Sequence, residues 1–333
     1  MRVCAILCVR NEASFLLEWL AHHRSLGVTD VLAFSNDCSD GTDALLDRLA
    51  EMGHVAHLRT LDPGPRGPQW AALDRAKDHP LVQGADWIIS LDIDEFINVH
   101  VGDRTLPALL AALPDAQAIT LTWRMFGNAG CVHLPEAPVT ETFTRAAADP
   151  LHWPWRAVMF KTLYRRDGPF GPPGVHRPQG GSTARWFDSQ GRALPGGPQR
   201  MFSALGAPNH GLAQLNHYAL GSMAGYLVKA DRGRANRAAS AFDLGYWAER
   251  NLCHVEDRSI LSLDSTSLRQ SLLSDPVLGP LHRAGQLWRR RRFGELMRQE
   301  PFRDLFARLM LSPPSRALTA DQARLIWAHA LPG

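Results

Sequence analysis

The chain has 333 residues, of which 45% are hydrophobic and 21% are charged. This composition is typical of a globular protein with a real core, and it excludes a disordered, collagen-like or coiled-coil chain. Lys and Arg number 36 against 33 Asp and Glu, which gives a net charge of +3. The dense basic field of a nucleic-acid-binding protein is therefore missing, and we expect no nucleic-acid partner.

The cysteines favour a reducing compartment, because they are scattered and never spaced as C-x-x-C. That pattern predicts neither a disulfide framework nor a zinc site. No apolar run approaches the roughly 18 residues of a membrane span, and the first residues do not read as a signal peptide. We therefore expect a cytoplasmic protein, either soluble or peripheral to the inner membrane. The cysteines are Cys4, Cys8, Cys38, Cys131 and Cys253.

Short apolar strands alternate with amphipathic helices through the first hundred residues. Because this alternation is typical of βαβ units, it predicts an α/β fold with a doubly wound, mostly parallel sheet. Gly27 follows the first helix where a left-handed C-cap is expected. The predicted strands are 3–9, 31–35, 54–59 and 87–91, and the predicted helices are 15–26, 42–52 and 69–77.

The regular alternation of predicted strands and helices ends after Asp92. A strand is predicted at 118–123, and a region rich in Gly, Pro and Trp runs from about 126 to 208. From Ser222 onward the pattern is helical. We therefore expect one domain over residues 1–240 and a helical C-terminal extension over 241–333.

Polar residues follow the predicted strands where each of them ends. In a doubly wound sheet, ligands bind outside the carboxyl ends of the strands. Residues 10–12 follow the first strand, 36–42 the second, a Pro/Gly loop with Arg66 the third, and 92–95 the fourth. We therefore expect acidic and hydrogen-bonding groups to converge on one edge of the sheet.

Asp92 and Asp94 predict a divalent cation site. In extended backbone, residues two apart project to the same side, and Mg²⁺ and Mn²⁺ are held by one or two carboxylates plus substrate phosphate oxygens. The expected cofactor is therefore Mn²⁺ or Mg²⁺, which would neutralise a departing nucleoside diphosphate. A chance Asp-x-Asp in a surface loop is the alternative.

The segment 36–42 offers amide and carboxylate groups to a base or ribose. Asn36 and Asp37 are candidates for ligand contact, with a simple turn as the equal alternative. Ser39, Asp40 or Thr42 is expected to cap the helix that follows.

Several ordered segments together resemble the family-2 glycosyltransferases of GT-A fold, in a subgroup that also includes relatives of the family-92 enzymes. The resemblance covers roughly residues 1–240. It rests on Val9-Arg10-Asn11-Glu12 with Glu18-Trp19 and His22-His23; on Asn36 to Thr42; on Leu91-Asp92-Ile93-Asp94-Glu95-Phe96; and on Trp123 to Gly127, Lys161, Gly174-Val175-His176, Asn216-His217-Tyr218, Lys229 and Arg232-Gly233.

The resemblance implies a nucleotide-sugar-dependent transferase, usually inverting, in which the Asp-x-Asp pair binds metal and diphosphate. It makes residues 1–240 the GT-A-like nucleotide-sugar-binding and catalytic domain. It places Arg10, Glu12 and Asp37 in the nucleotide pocket, with Arg66 and Gln69 as weaker candidates. It also makes His217 the later histidine that completes the metal or diphosphate site, against the alternative of a buried core histidine.

An inverting transfer needs a base that deprotonates the acceptor hydroxyl. His176, Glu95 and Asp149 are the candidates, and the usual acidic motif downstream of the metal pair is not recognisable in this sequence. Lys161, Lys229 and Arg232 are candidates to stabilise the diphosphate charge, with solvated surface cations as the alternative.

Four consecutive arginines, 289–292, lie inside one predicted helix. They predict either peripheral contact with anionic lipid, which would suit an enzyme of polysaccharide biosynthesis, or an ordinary solvated basic face.

The hypothesis for function is transfer of a sugar from a nucleoside-diphosphate sugar, with UDP favoured, to a glycan or lipid-linked acceptor. One alternative is a Mg²⁺-dependent phosphatase of the haloacid dehalogenase type, which expects Thr or Val where Phe96 stands and a motif near the N-terminus. The other is a non-catalytic carbohydrate-binding or scaffold protein. The sequence identifies neither the sugar nor the acceptor, and it says nothing firm about oligomeric state.

Overall fold

The structure is a computed structural model that describes residues 1–233 and 243–328. The domain boundary expected at residue 240 lies outside these described residues. The strands are β1 (Val3–Val9), β2 (Asp30–Ser35), β3 (Ala56–Arg59), β4 (Trp87–Leu91), β5 (Glu95–Val99), β6 (Ala118–Met125), β7 (Arg145–Ala146), β8 (Phe160–Arg165), β9 (Trp186–Asp188), β10 (Ala213–His217) and β11 (Val255–Glu256).

The α-helices lie between and after these strands, and short 3₁₀ helices occupy Trp155–Val158 and Ser259–Ser262. The α-helices are α1 (Leu16–Leu26), α2 (Thr42–Glu51), α3 (Pro68–Ala76), α4 (Pro80–Gln83), α5 (Leu106–Ala112), α6 (Val139–Thr142), α7 (Met223–Arg232), α8 (Leu244–Ala248), α9 (Thr266–Ser274), α10 (Leu278–Leu296), α11 (Glu300–Leu311) and α12 (Ala320–Trp327).

One sheet organises the fold, with the strand order β3-β2-β1-β4-β8-β6-β10-β5 and β9 paired to β6. The pairs β1–β2, β1–β4, β2–β3, β6–β9 and β6–β10 are parallel, whereas β4–β8, β6–β8 and β5–β10 are antiparallel. The predicted α/β class with a mostly parallel sheet is confirmed.

Strand β1 shows why the first strands form a buried sheet. Its side chains alternate between two apolar cores: Val3, Ala5, Leu7 and Val9 pack on one face, with Cys4 and Ile6 on the other. A strand buried on both faces carries a nearly continuous apolar run. Because that run is visible in the sequence, the predicted bounds of β1 agree with the structure.

Helix α1 ends at Gly27, as predicted. Gly27 has φ of 110°, a left-handed conformation that glycine adopts without strain, and its N–H donates to carbonyl oxygens of the last turn. The helices predicted at 42–52 and 69–77 correspond to α2 and α3 within one residue at each end. Their amphipathic periodicity was sufficient to place them.

Strands β5, β8 and β10 were not predicted. The sequence of β10 is largely polar, yet all five of its residues are buried. Gln214 donates to Asn216, and Asn216 donates to the Tyr218 hydroxyl, so hydrogen bonds replace the apolar contacts that sequence periodicity detects. The region 126–208, predicted as loops, also contains β7, β8 and β9.

The C-terminal part is mainly helical, as expected, and packs on the sheet domain. Helix α10 lies against α2, α7 and α9, and α11 lies against α7. Arg48 of α2 pairs with Asp275 at 2.8 Å. None of the helices in the described ranges has the length and apolar character that crossing a bilayer requires.

Candidate functional site

A cleft of about 330 Å³ opens at the carboxyl ends of β1, β2, β4 and β10. This is the edge at which a doubly wound sheet binds ligands. Of the residues proposed from the sequence, the cleft is lined by Arg10, Glu12, Asn36, Gln69, Asp92, Asp94, His176, His217, Lys229 and Arg232. The chain thus gathers residues from positions 10 to 232 into one site.

Two loops at the cleft, which follow β1 and β2, are bonded to each other. Asp40 accepts hydrogen bonds from the N–H groups of Ala13 and Thr42, both at 2.9 Å, and the Thr42 hydroxyl accepts from the N–H of Glu12 at 2.8 Å. The helix-capping role expected for the segment 36–42 is therefore carried by Asp40, although the N-cap position itself is Gly41. These bonds fix the backbone that presents Arg10 and Glu12.

The Asp92–Asp94 segment is a turn between β4 and β5, so the extended backbone expected there is wrong. The N–H of Glu95 donates to the Asp92 carbonyl at 3.1 Å, closing the turn. Both aspartates nevertheless line the cleft. The turn, and not the two-residue period of a strand, places the two carboxylates on the same side.

Asp94 lies between a lysine and a histidine. Lys229 of α7 donates to Asp94 Oδ2 at 2.7 Å, and His217 Nε2, at the end of β10, lies 3.6 Å from Asp94 Oδ1. Burial by itself would raise the pKa of Asp94, but the Lys229 and His217 charges outweigh it and hold the pKa well below its usual range. Asp94 is therefore ionised, and Lys229 also donates to the Ala219 carbonyl at 2.7 Å.

Asp92 belongs to a second cluster, beneath the cleft. Its Oδ2 accepts from Lys161 of β8 at 2.9 Å, and its Oδ1 accepts from Gln69 of α3 at 3.1 Å. Lys161 also lies 3.5 Å from Glu95, which is fully buried and accepts from Trp123 Nε1 at 2.7 Å. Burial raises the pKa of Glu95 well above its usual range even though Lys161 lowers it.

We predict that Lys161→Met destabilises the protein by about 3 kcal/mol, because it removes the buried ammonium that pairs with Asp92 and lies 3.5 Å from Glu95. Removing one partner of a buried ion pair costs about 3–5 kcal/mol. We expect the low end of this range because the Asp92 side chain is 36% exposed. Urea denaturation measures the loss. Lys77→Met, which changes an exposed lysine, is the matched control, and equal stabilities for the two variants would contradict the prediction.

Arg10, Glu12 and Arg232 form a third cluster at the cleft wall. Arg232 donates to the Glu12 carboxylate and, at 2.7 Å, to the Arg10 carbonyl. Arg10 Nε is buried without a hydrogen-bond partner in the part of the chain that the structure describes. An arginine that lines a cleft and keeps an unpaired N–H is suited to an anionic ligand.

His176 is the one candidate base that lines the cleft. Its Nδ1 lies 2.9 Å from the Phe160 carbonyl oxygen, which assigns the ring proton to Nδ1 and the lone pair to Nε2. Burial and the nearby Lys161 lower the pKa of His176 to about 4. The ring is therefore neutral at pH 7 and can accept a proton at Nε2.

Five of the proposed residues do not line the cleft. Asp149 lies elsewhere, 3.0 Å from His210 Nδ1 and bonded to the N–H of Asn209. Arg66 pairs with Asp74 and stacks on Trp70, and exposed Asp37 contacts Asn36. Glu95 and Lys161 are buried below the cleft floor. In this structure Glu95 and Asp149 are not placed to touch a ligand in the cleft.

Sequence reasoning did not propose Tyr246 and Arg250 for the site, yet both line the cleft. The Arg250 guanidinium lies 3.7 Å from the centre of the Tyr246 ring. Both residues follow the proposed domain boundary at residue 240, so the cleft includes part of the predicted C-terminal extension. They belong to no motif, and no sequence signal identified them.

The side chains at the cleft supply only part of the ligand shell that a metal ion requires. Within residues 1–233 and 243–328, no three His, Cys, Asp or Glu side chains gather into a metal-binding group. Asp94 and His217 are close enough for both to bind one ion, and Mg²⁺ or Mn²⁺ commonly completes its shell with substrate phosphates and water. These two residues would hold the metal, whereas the oxygens of Asp92 are engaged by Gln69 and Lys161.

The fold and the cleft define an α/β protein with a polar ligand site at the carboxyl edge of a mostly parallel sheet. Residues 1–145 match the family described as Glycosyltransferase family 92. The resemblance expected from the sequence is therefore confirmed for this part of the chain, which carries Arg10, Glu12, Asp92 and Asp94.

Curated relatives carry the same family name. A glycosyltransferase family 92 protein of Oryza sativa subsp. japonica is 27% identical over 155 residues, which is 44% of this chain and 25% of that protein. One from Ricinus communis is 26% identical over 156 residues, 43% of this chain and 26% of that protein. The matched part of this chain thus spans about a quarter of the length of these relatives.

Solved structures overlap with half of the chain or less. S. aureus TarS 1-349 in complex with UDP is 16% identical, covering 50% of this chain and 47% of that one with a TM-score of 0.31. Glucosyl-3-phosphoglycerate synthase from Mycobacterium tuberculosis, in complex with Mn²⁺, UDP and glucosyl-3-phosphoglycerate, is 15% identical, covering 37% and 44% with a TM-score of 0.25.

Proposed function

We propose that this protein is a glycosyltransferase that moves a sugar from a nucleoside-diphosphate donor, a UDP-sugar in the first instance, to a hydroxyl of a glycan or lipid-linked acceptor. The observation that carries the proposal is the convergence of Asp94, His217, Lys229 and Arg232 on one cleft at the carboxyl edge of the sheet. The family match over residues 1–145 supports it.

The donor's charge and the cleft's charge are complementary. Arg10, Lys229, Arg232 and Arg250 line the cleft, and cationic donors around a diphosphate form strong charge-assisted hydrogen bonds. Asn36 and Gln69 offer amide groups on the nucleotide side. Lys229 is held by Asp94 and the Ala219 carbonyl, so its ammonium is already positioned when the donor arrives.

In the proposed reaction, a bond forms between the acceptor oxygen and the anomeric carbon as the bond from that carbon to the diphosphate breaks. The electron pair of the broken bond leaves with the diphosphate, whose charge Lys229 and Arg232 stabilise. A divalent cation at Asp94 and His217 would add Lewis-acid stabilisation of the same charge. With attack from the opposite face, the configuration at the anomeric carbon inverts.

The acceptor hydroxyl must lose its proton as it attacks, and we assign His176 as the base. The lone pair on His176 Nε2 accepts that proton. Its neutral state at pH 7 follows from the lowered pKa. A bound diphosphate would raise that pKa toward neutrality, because a nearby negative charge favours the imidazolium form. The base would therefore strengthen when the donor is in place.

Thermal-shift measurements test the proposal directly. A nucleoside diphosphate at about 100 times its dissociation constant adds about 2.7 kcal/mol of stability, which we expect to raise Tm by about 4 °C for a chain of this size. UDP should give this shift, with a larger one when Mn²⁺ is present.

Two variants make the measurement specific. Arg10→Gln should lose most of the UDP shift, whereas Arg258→Gln, which changes an arginine that is 63% exposed, should keep it. Absence of a shift with every nucleoside diphosphate would favour the scaffold alternative. Release of phosphate from p-nitrophenyl phosphate without nucleotide binding would favour the phosphatase.

A further inference from the structure

Arg289, in α10, is a buried arginine without a counter-ion. It is only 8% exposed. Across residues 1–233 and 243–328, its guanidinium takes part in no hydrogen bond or ion pair, and it lies over the Phe15 ring, 4.6 Å from the guanidinium carbon to the centroid. Burial lowers the pKa of Arg289, with Glu12 and Asp40 opposing that effect.

The carboxylates that influence Arg289 are committed to other partners. Glu12 accepts from Arg232, and Asp40 accepts from the N–H groups of Ala13 and Thr42. Arg289 also differs from the other arginines of its run. Arg290 contacts Glu136 at 2.5 Å, and Arg292 makes two 2.8 Å bonds to Asp231. Of these three arginines, Arg289 alone has no anionic partner.

Arg289 lines two spaces near the cleft. An inner chamber of about 70 Å³ shares Glu12, Asp94, Lys229 and Arg232 with the cleft and has Arg289 in its wall. An outer groove of about 190 Å³ shares Arg289, together with Phe15, Leu134, Pro135 and Val139, with the inner chamber. The chamber therefore adjoins the cleft on one side and the groove on the other, with Arg289 in the wall that the chamber and the groove share.

The chamber has room for a chemical group and not only for water. A single water needs about 10–15 Å³ in the same measure of volume, several times less than the chamber provides. The groove adds cationic side chains, since Arg269 and Arg290 also line it. Its acidic residues include Glu18, which is bonded to the N–H groups of Val139 and Thr140.

An unpaired buried guanidinium is costly to the folded protein. Removing a charge from water without a partner is strongly unfavourable, and a single cation–π contact offsets only part of that cost. A residue that destabilises the free protein in this way is expected where a ligand supplies the missing partner.

We propose that Arg289 binds an anionic group, a carboxylate or a phosphate, carried by the acceptor, which reaches the cleft through the outer groove and inner chamber. The inference rests on the proposed function and narrows it: the acceptor is an acidic or phosphorylated saccharide and not a neutral one. Arg289 lines the chamber and the groove but not the cleft, so the proposal places the acceptor's anionic group outside the space assigned to the donor.

Calorimetric titration of the full chain at saturating UDP tests this inference. The probes are glucose, glucuronate and glucose 6-phosphate, which share a ring and differ in charge. Because a hydrogen bond to a charged group contributes about 1.5–3 kcal/mol, at least one anionic probe should bind about tenfold or more tightly than glucose. The stronger of the two identifies the carboxylate or the phosphate.

Arg289→Met should abolish that preference while leaving UDP affinity unchanged. Arg291→Gln, which changes an exposed arginine on the same helix, should retain it. Urea denaturation of the ligand-free variant separates binding from structure: removal of an unpaired charge should leave the stability equal or higher. A less stable Arg289→Met with unchanged anion preference would show that Arg289 only packs on Phe15.

Equal affinities for the three sugars, or an anionic preference that survives in Arg289→Met, would overturn the inference. The UDP titration is read separately, since its failure would overturn the proposed function. The anion titrations repeated without UDP then still report whether Arg289 binds an anion.

Discussion

Asp94→Asn is expected to lower the rate of UDP release from a UDP-sugar by about 10³-fold, because it removes several kcal/mol of charge stabilisation from the leaving diphosphate. The substitution has two separate effects on the site. It removes the carboxylate that, with His217, would hold a cation, and it removes the negative charge that pairs with the Lys229 ammonium at 2.7 Å.

The Asp94 experiment includes its own controls. Asp167→Asn changes an exposed aspartate that pairs with Arg165 on the surface, and it should leave turnover unchanged. Cooperative urea denaturation of Asp94→Asn shows whether the fold survives, since the Asp94–Lys229 pair is largely buried. Undiminished turnover in a folded Asp94→Asn protein would remove Asp94 from the mechanism.

EDTA distinguishes the two contributions of Asp94. If a cation at Asp94 and His217 supplies most of the stabilisation, EDTA should reduce the wild-type rate nearly to that of Asp94→Asn, and Mn²⁺ should restore it. If Lys229 and Arg232 supply it, the wild-type rate should survive EDTA and fall in Lys229→Met. This comparison is necessary because lysines already contact both aspartates: Lys161 donates to Asp92, and Lys229 donates to Asp94.

The first half of the fold could be predicted because its signals are local. The apolar run of β1 and the periodicity and glycine cap of α1 each lie within about a dozen neighbouring residues. The strand order places the ends of β1, β2 and β4 together by a general rule of doubly wound sheets, so the cleft's position also followed from the sequence.

The partners of the site residues could not be predicted in the same way. Lys161 reaches Asp92 only because β8 pairs antiparallel with β4, and those two residues are 69 positions apart. Tyr246, Arg250 and Arg289 enter or border the cleft through packing of the C-terminal helices. Such contacts depend on tertiary geometry, which leaves no periodic pattern in the sequence.

The surroundings of the four consecutive arginines also could not be predicted from the sequence. From the sequence, 289–292 read as one basic face for lipid or solvent, but successive helical residues point about 100° apart. Arg289 is buried, Arg290 and Arg292 pair with acidic side chains, and Arg291 is exposed. Contact with a membrane remains a prediction, and Arg291 is the member of the run available for it.

His176→Gln is expected to reduce transfer to an acceptor by about 10²- to 10³-fold, the usual contribution of a positioned general base. The glutamine retains an amide that can donate to the Phe160 carbonyl, the bond that Nδ1 makes in the wild-type protein. It has no nitrogen lone pair to accept the acceptor proton. Donor binding, measured as the UDP-induced rise in Tm, should not change.

The pH profile gives the sharper test of His176. Because the base acts in its neutral form, kcat/KM should fall as the pH drops through the pKa of the free protein, which is about 4. The residual rate of His176→Gln should lack that acid limb. His133→Gln, which changes an exposed histidine, should keep both rate and limb. An acid limb that persists in His176→Gln would assign the titration to another group and remove His176 as the base.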